Sequence, residues 1–195
     1  MEVKKIYEKD LLNLVDYLDV VKNDTILLTS NTLPILTKYK KIDKNYFNRF
    51  IDTFIKKIGP GGTLLLPTFS WDFCKGLGFD YYNTNPETGS LSKIVLKRKD
   101  FVRTRHPIYS FAVTGKYKNQ LYKIDTKSGW SKNSVFDFLY KKNAKNLFIG
   151  LDYKNGFTFD HYIEEKNKVS YRFFKTFSGK YIEKSKKEKI KKYKM

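Results

Sequence analysis

The chain has 195 residues, of which 41% are hydrophobic and 17% aromatic, so it contains enough apolar material for the core of one sizeable globular domain. No run approaches the roughly 18 apolar residues that span a bilayer, and the start of the chain lacks the apolar core of a secretory signal, so a cytoplasmic location is expected. The single cysteine, Cys74, excludes an internal disulfide and offers no pair of metal ligands, and no metal site is predicted.

The chain is strongly basic, with 39 Lys and Arg residues against 20 Asp and Glu residues and a net charge of +19. Such a charge indicates phosphate-bearing partners: nucleic acid, anionic lipid or a polyphosphorylated cofactor. The lysines are spread over the whole chain, however, so a generally basic, solvated surface is the alternative interpretation. No RNA-binding signature accompanies the tyrosine-rich stretches, so neither a specific nucleic-acid partner nor a membrane partner is predicted.

The first half of the chain alternates helix and strand patterns. Apolar residues at helical spacing predict a helix over 7–21, with Leu11, Leu14, Val15 and Leu18 inward. A buried strand over 25–29 follows, and a loop of small donors begins at Ser30. The clearest helix runs from Asp43, its expected N-cap, to Ile58.

Four residues after that helix, Gly59-Pro60-Gly61-Gly62, precede the apolar strand pattern 63–67. Loops that bind nucleotide phosphates have the opposite order, since they follow a strand and open a helix. A turn that ends the helix is therefore the better interpretation of these glycines.

The second half continues the alternation. The aromatic and polar stretch 71–85 either faces a substrate or packs on the surface. The later segments predict three helices, at 90–98 and after the caps Ser134 and Thr158, and three strands, at 111–115, 146–151 and 171–181. This order predicts an α/β fold, a three-layer α/β/α domain with a central mixed sheet over 1–183. The lysine-rich tail 184–195 has little to bury and is predicted to be disordered or a frayed helix.

Five motifs carry a resemblance to a known family. They are Gly59-Pro60-Gly61-Gly62-Thr63 leading to Pro67-Thr68, Glu87-Thr88-Gly89-Ser90-Leu91, Arg103-Thr104-x-His106-Pro107-x-x-Ser110-Phe111, Ser134 opening the helix before 146–151, and Thr158-x-x-His161-x-x-Glu164. In order and spacing they resemble the aminoglycoside 3-N-acetyltransferases, over Asp10 to Tyr181. The resemblance implies an acyltransferase that moves an acetyl group from acetyl-coenzyme A to an amine of an aminoglycoside or related amino sugar, a chemistry associated with antibiotic resistance.

The resemblance also implies roles for individual residues. His161 would be the catalytic general base, with Glu164 as the carboxylate that orients it, and Asp72 would help to bind a cationic amino sugar. The residues expected to cradle coenzyme A are Ser30, Asn31, Thr32, Leu33, Thr68, Arg103, Thr104, His106 and Ser110. An imidazole with a pKa of roughly 6.5 suits proton transfer near neutral pH, and direct transfer requires no covalent acyl-enzyme.

Several alternatives remain open. His106-Pro107 could form a local turn that positions the next strand, and Glu164 could be an exposed residue paired with Lys168, with Glu165 competing for its role. Lys97, Arg98 and Arg105 are alternatives to Arg103 as phosphate ligands. Cys74 fits a small buried residue better than a nucleophile, since no histidine lies near it in sequence.

Family members generally continue well beyond the point where this chain becomes lysine-rich, so a shortened C-terminus and a shortened acceptor side are expected. Two further functions are therefore weighed: amino-sugar N-acetylation in glycan biosynthesis, and coenzyme A binding without activity. A nucleic-acid-binding function rests on charge alone.

Overall fold

A computed structural model describes residues 12–38 and 45–195. The helices of this part are α1 (Leu14–Tyr17), α2 (Leu33–Lys38), α3 (Tyr46–Ile58), α4 (Ser90–Val95), α5 (Lys118–Lys123), α6 (Val135–Lys141) and α7 (Asp160–Lys166). The strands are β1 (Thr25–Ser30), β2 (Thr63–Pro67), β3 (Phe79–Asp80), β4 (Val102–Arg103), β5 (Phe111–Gly115), β6 (Lys145–Ile149), β7 (Thr176–Ile182) and β8 (Glu188–Lys194). Short 3-10 turns lie at Asp72–Lys75 and Tyr153–Asn155.

The central sheet has five strands in the order β4-β5-β2-β1-β6. Strand β1 is parallel to both β2 and β6, whereas β5 is antiparallel to β2 and β4, so the sheet is mixed as predicted. The carboxyl ends of the three parallel strands therefore lie at one edge of the sheet. A second sheet of three strands, in the order β3-β7-β8, packs beside it.

Alternating residues of the central strands feed two separate hydrophobic clusters, one on each face of the sheet. Ile26 and Leu28 pack with the apolar face of α3, whereas Leu27 lies in the cluster that contains Phe136 of α6 and Tyr181 of the second sheet. Burial on both faces explains why the central residues of β1 and β2, 26–28 and 64–66, are consecutive apolar residues rather than alternating ones. The predicted three-layer arrangement is confirmed.

Two predicted helix ends are confirmed and one is wrong. Gly59 ends α3 with a φ of 64° and donates its amide to the carbonyl of Ile55, and Ser134 Oγ accepts the amide of Asp137 at 3.2 Å. Thr158 does not cap α7, because the helix begins only at Asp160, whose own carboxylate accepts the amide of His161 at 2.7 Å. The predicted N-cap Asp43 and the predicted helical residues before 12 lie outside the described residues.

The prediction that 184–195 is disordered or a frayed helix is wrong. Residues 188–194 form β8, which pairs with β7 along seven residues, and Tyr193 is fully buried in the cluster that holds Tyr181. In a strand alternate side chains point to opposite faces, so one buried tyrosine is enough to fix the segment while its neighbouring lysines reach solvent. The strand β7 itself begins at Thr176 and not at Tyr171, where the late strand was predicted to start.

Candidate active site

A cleft with a volume of about 390 Å³ opens between α7 and the segment 171–175. His161 and Glu164 lie on its wall, and the buried rings of Tyr109 and Trp130 form its floor. The other residues that line it are Glu165, Tyr171, Arg172, Phe173, Phe174, Lys175 and Met195.

The two predicted catalytic residues are in contact. Nδ1 of His161 lies 3.1 Å from Oε2 of Glu164, as expected for positions i and i+3 of one helix, and 3.5 Å from Oδ1 of Asp160. A carboxylate at Nδ1 holds the proton on that nitrogen, which leaves Nε2 as the basic atom of the ring. The side chain of His161 is 34% exposed, so the imidazole is accessible from the cleft.

The position of His161 is set by the packing of its neighbours on α7. The adjacent Tyr162 is buried and donates its hydroxyl to Oδ1 of Asp137 on α6 at 2.8 Å, which fixes the rotation of α7 against α6. The ring of His161 itself packs edge-on against Trp130, with 5.2 Å between the ring centroids. These contacts hold the imidazole on the wall of the cleft, against Trp130 of the floor.

Four residues expected to bind coenzyme A form a buried cluster at the carboxyl end of β2. Arg103 donates from Nη2 to the carbonyl of Thr68 at 3.0 Å, from Nε to Oγ of Ser110 at 3.0 Å, and from Nη1 to the carbonyl of Thr84 at 2.6 Å. Oγ1 of Thr104 accepts the amide of Phe111 at 2.8 Å. Burial lowers the pKa of Arg103 to about 10. These contacts join β4 and β5 to the end of β2, and a contact with coenzyme A remains a prediction.

His106 is also buried, and its contacts agree with the alternative that His106-Pro107 forms a local turn before the next strand. Its Nδ1 accepts the backbone amides of Ile108 and Tyr109 at 3.3 Å and 3.0 Å. Burial lowers the pKa of this imidazole to about 3, so it is neutral at ordinary pH. The Pro107 turn is thereby fixed in front of β5.

The predicted cofactor residues 30–33 run from the last residue of β1, Ser30, to the first residue of α2, Leu33, and they include the exposed members of that set. Asn31 donates its amide to the carbonyl of Ile149 at 2.8 Å, and Thr32 and Ser90 share a hydroxyl hydrogen bond of 2.5 Å. Asn31 is exposed, and Leu33 is 62% exposed. Asn31 and Leu33 can meet a ligand from solvent, whereas Thr32, Arg103 and Ser110 are buried.

Asp72 does not lie in the cleft with His161. It borders a different hollow, lined also by Phe79, Asp80 and Lys180, and Nζ of Lys75 lies 3.9 Å from its Oδ1. The structure therefore separates the predicted acceptor contact from the predicted base.

Sequence reasoning missed the residue that pairs with Glu164. Arg172, and not Lys168, forms the ion pair, with 2.8 Å between Nε and Oε2. Arg172 lies in an irregular segment eight residues after Glu164, so no helical spacing could have indicated the contact. Likewise Arg98, an alternative phosphate ligand, is paired with Asp52 and Asp100.

Within residues 12–38 and 45–195, no group of three or more His, Cys, Asp and Glu side chains is placed to hold a metal ion. Among these residues there is also no helix with the length and apolar character needed to cross a membrane.

The fold is that of a mixed α/β protein, and a histidine–carboxylate pair in an open cleft is an arrangement that can accept a proton from a bound ligand. A family model described as aminoglycoside 3-N-acetyltransferase matches residues 37–195. The chain therefore belongs to the aminoglycoside 3-N-acetyltransferase family. A search of curated proteins found no match.

Solved structures share the fold. The YokD protein from Bacillus subtilis matches with a TM-score of 0.78 and 20% identity, over 96% of this chain and 80% of that one. AAC-IIIb in a binary complex with CoASH matches with a TM-score of 0.79 and 14% identity, over 96% and 74% of the two chains. AAC-VIa bound to sisomicin matches with a TM-score of 0.78 and 17% identity, over 96% of this chain and 74% of that one. At these identities the likeness establishes the fold.

Proposed function

We propose that the protein transfers the acetyl group of acetyl-coenzyme A directly to an amine of an aminoglycoside or related amino sugar, with His161 as the general base. The observation that carries the proposal is the contact between His161 and Glu164 in the open cleft of a chain that belongs to this family. The complexes of AAC-IIIb with CoASH and of AAC-VIa with sisomicin support the choice of the two substrates.

The roles of the residues follow from the orientation of the imidazole. Acetyl-coenzyme A supplies an activated acyl carbon; as the amine nitrogen forms its bond to that carbon and the C–S bond breaks, Nε2 of His161 takes the amine proton. The carboxylate of Glu164, 3.1 Å from Nδ1, stabilises the imidazolium that results. The proton finally leaves with the thiolate, and no acyl-enzyme is formed.

The described residues fit coenzyme A unequally. The exposed loop at Asn31 and Leu33 offers groups that a pantetheine or phosphate can reach, and it follows the end of a parallel strand, where ligands of α/β sheets commonly bind. Thr68, Arg103 and Ser110 already satisfy one another inside the protein. We therefore assign the loop to ligand contact and these three residues to support of the strand ends.

The acceptor would enter the cleft over its aromatic wall. Tyr171, Phe173 and Phe174 are exposed there, and aromatic faces attract ammonium groups and pack against sugar rings. The carboxylates available to a cationic amine beside the base are Asp160 and Glu165. Asp72 would reach the acceptor only if the acceptor extended to the separate hollow that Asp72 borders.

The test is release of free thiol from acetyl-coenzyme A by the purified protein, with a panel of aminoglycosides and simple amino sugars as acceptors. Release that requires an amine supports the transferase, and mass spectrometry of the product locates the acetyl group. If no amine gives release while coenzyme A binds in calorimetry, the protein is a coenzyme A-binding relative without this activity. If coenzyme A does not bind at all, the proposal is overturned.

A further inference from the structure

The carboxylate of Glu164 is held by two side chains at once. Its Oε2 contacts Nδ1 of His161 at 3.1 Å and Nε of Arg172 at 2.8 Å, and its Oε1 accepts Nη2 of Arg172 at 3.2 Å. The Arg172 guanidinium therefore binds both oxygens of the carboxylate, in the forked geometry that gives arginine its directional strength.

We propose that Arg172 is a positioning residue for the general base: it fixes the plane of the Glu164 carboxylate against His161 and balances its charge, so that His161 stays neutral and basic in the cleft. This inference rests on the proposed function. It adds a residue that belongs to none of the five motifs.

Arg172 can orient Glu164 because the segment that carries it is tied down on both sides. The hydroxyl of Tyr171 lies 3.4 Å from Oε1 of Glu164. Lys175 and Met195 exchange two backbone hydrogen bonds, of 2.8 Å and 3.0 Å, which attach the far end of the segment to the chain beyond β8. A glutamate on a helix surface otherwise samples several rotamers, and a guanidinium bound to both oxygens removes that freedom.

The charged groups around His161 show why Arg172 is needed to balance the negative charge beside the imidazole. Asp160 and Glu164 both approach Nδ1, Glu165 lies on the same cleft wall, and the opposing cations are Arg172 and Lys175. The remaining polar neighbours are the hydroxyl groups of Tyr109 and Tyr171. Hydrogen bonds from His161 and Arg172 lower the pKa of Glu164, so it is ionised at neutral pH.

Without Arg172 this set of groups would favour the imidazolium. Two carboxylates at Nδ1 with no adjacent guanidinium raise the proton affinity of the ring, and a protonated histidine cannot accept the proton of the amine. The competing interpretation is that Arg172 and Glu164 form an ordinary exposed ion pair, whose contribution to stability is roughly 0–1 kcal/mol and whose loss would leave His161 unchanged.

The test uses the fact that the chain has only two histidines. Because burial lowers the pKa of His106 to about 3, its NMR signals stay constant over the neutral range and are told apart from those of His161. NMR titration of histidine-labelled protein, wild type against Arg172→Gln, therefore reads His161 directly and needs no turnover. Arg172→Lys is the conservative variant, and Lys168→Gln removes a nearby exposed cation as the matched control.

We expect Arg172→Gln to raise the pKa of His161 by about half a unit or more and so to lower kcat on the acidic side of that pKa by about threefold or more. The acidic limb of the kcat/KM profile should move by the same amount, with the KM for acetyl-coenzyme A unchanged. Arg172→Lys should keep the pKa of His161 and kcat close to the wild-type values, because it keeps the charge. Lys168→Gln should change neither quantity.

An unchanged His161 titration in Arg172→Gln overturns the inference, whether or not the enzyme turns over. If the titration moves while neither wild type nor variant acetylates any amine, Arg172 sets the protonation of His161 as inferred, and it is the proposed function that fails. If kcat falls with no movement of the titration or of the pH profile, Arg172 acts only through stability and the inference is wrong.

Discussion

The hydroxyl of Tyr193 donates a hydrogen bond to Oδ1 of Asp125 at 2.9 Å, which fastens the last strand to the loop that follows α5. The same ring packs edge-on against His106, with 5.0 Å between the centroids, and face-to-face with Tyr181 at 6.0 Å. One tyrosine thus joins a lysine-rich segment to the core beneath the cleft.

Substitution of Tyr193 should destabilise the whole protein. We expect Tyr193→Phe to lower the free energy of unfolding by about 1.5–3 kcal/mol, because a hydrogen bond to a charged group is lost. Tyr193→Ala should lower it by about 3–5 kcal/mol through the cavity it leaves. Urea denaturation measures both, with the exposed neighbour Lys192→Gln as the control, expected to change stability by less than about 0.5 kcal/mol. A stable Tyr193→Ala protein would show that β8 is dispensable.

Arg103 should behave as a structural residue. Arg103→Met removes donors to Thr68, Ser110 and Thr84 from a buried site, and we expect a loss of at least about 3 kcal/mol of stability. Its half-exposed neighbour Arg105, whose guanidinium lies over the ring of Tyr122, provides the matched control Arg105→Gln. Coenzyme A affinity of the folded fraction, measured by calorimetry, should be little changed. A large loss of affinity in a stable variant would instead support direct contact with the cofactor.

Loss of the proposed base should be visible in kcat. His161→Ala should reduce turnover by about 10²- to 10⁴-fold, the usual contribution of a general base, while leaving the KM for acetyl-coenzyme A and the unfolding midpoint nearly unchanged, since the side chain is partly exposed. Steady-state thiol release measures the effect. Turnover within about threefold of wild type would exclude His161 as the base.

Acid should destabilise the protein partly through His106. Burial lowers the pKa of this imidazole from 6.5 to about 3, so below pH 6.5 the unfolded chain binds a proton that the folded chain does not. The contribution of neutral His106 to stability is therefore fully present above pH 6.5. As the pH is lowered towards 3, the free energy of unfolding falls by up to about 1.4 kcal/mol per pH unit.

The variant His106→Asn isolates this effect, because an amide oxygen can still accept the backbone amides of Ile108 and Tyr109. Between about pH 6.5 and pH 4.5 we expect wild type to lose about 2–3 kcal/mol more stability than the variant, measured by urea denaturation at each pH. Parallel pH profiles for the two proteins would show that His106 is protonated in the folded state.

The sequence predicted the elements whose residues face a core directly. Strands β1 and β2, helix α3 and the glycine turn after it were visible because apolar runs and 3.6-residue spacing report burial at the level of neighbouring residues. The lysine tail was misjudged for the same reason. Its strand depends on pairing with β7 and on one buried tyrosine, Tyr193. The average composition of a lysine-rich segment does not show the effect of a single such residue.

The candidate site divides in the same way. His161 and Glu164 were predicted together because their spacing on a helix determines that they meet. Arg172 could not be predicted, since its contact depends on how an irregular segment returns to α7. Asp72 was assigned to the acceptor from its type and loop, and the fold places it on another hollow.

The sequence by itself determined the layered α/β architecture and the helix that presents the histidine–carboxylate pair, because both follow from local periodicity and burial. Only the tertiary structure decided which polar residues are accessible: it buried Arg103 and His106, opened the loop after β1, and set Arg172 against Glu164. The physical reason is that the exposure and charge environment of a side chain are properties of everything packed around it, and those neighbours come from distant parts of the chain.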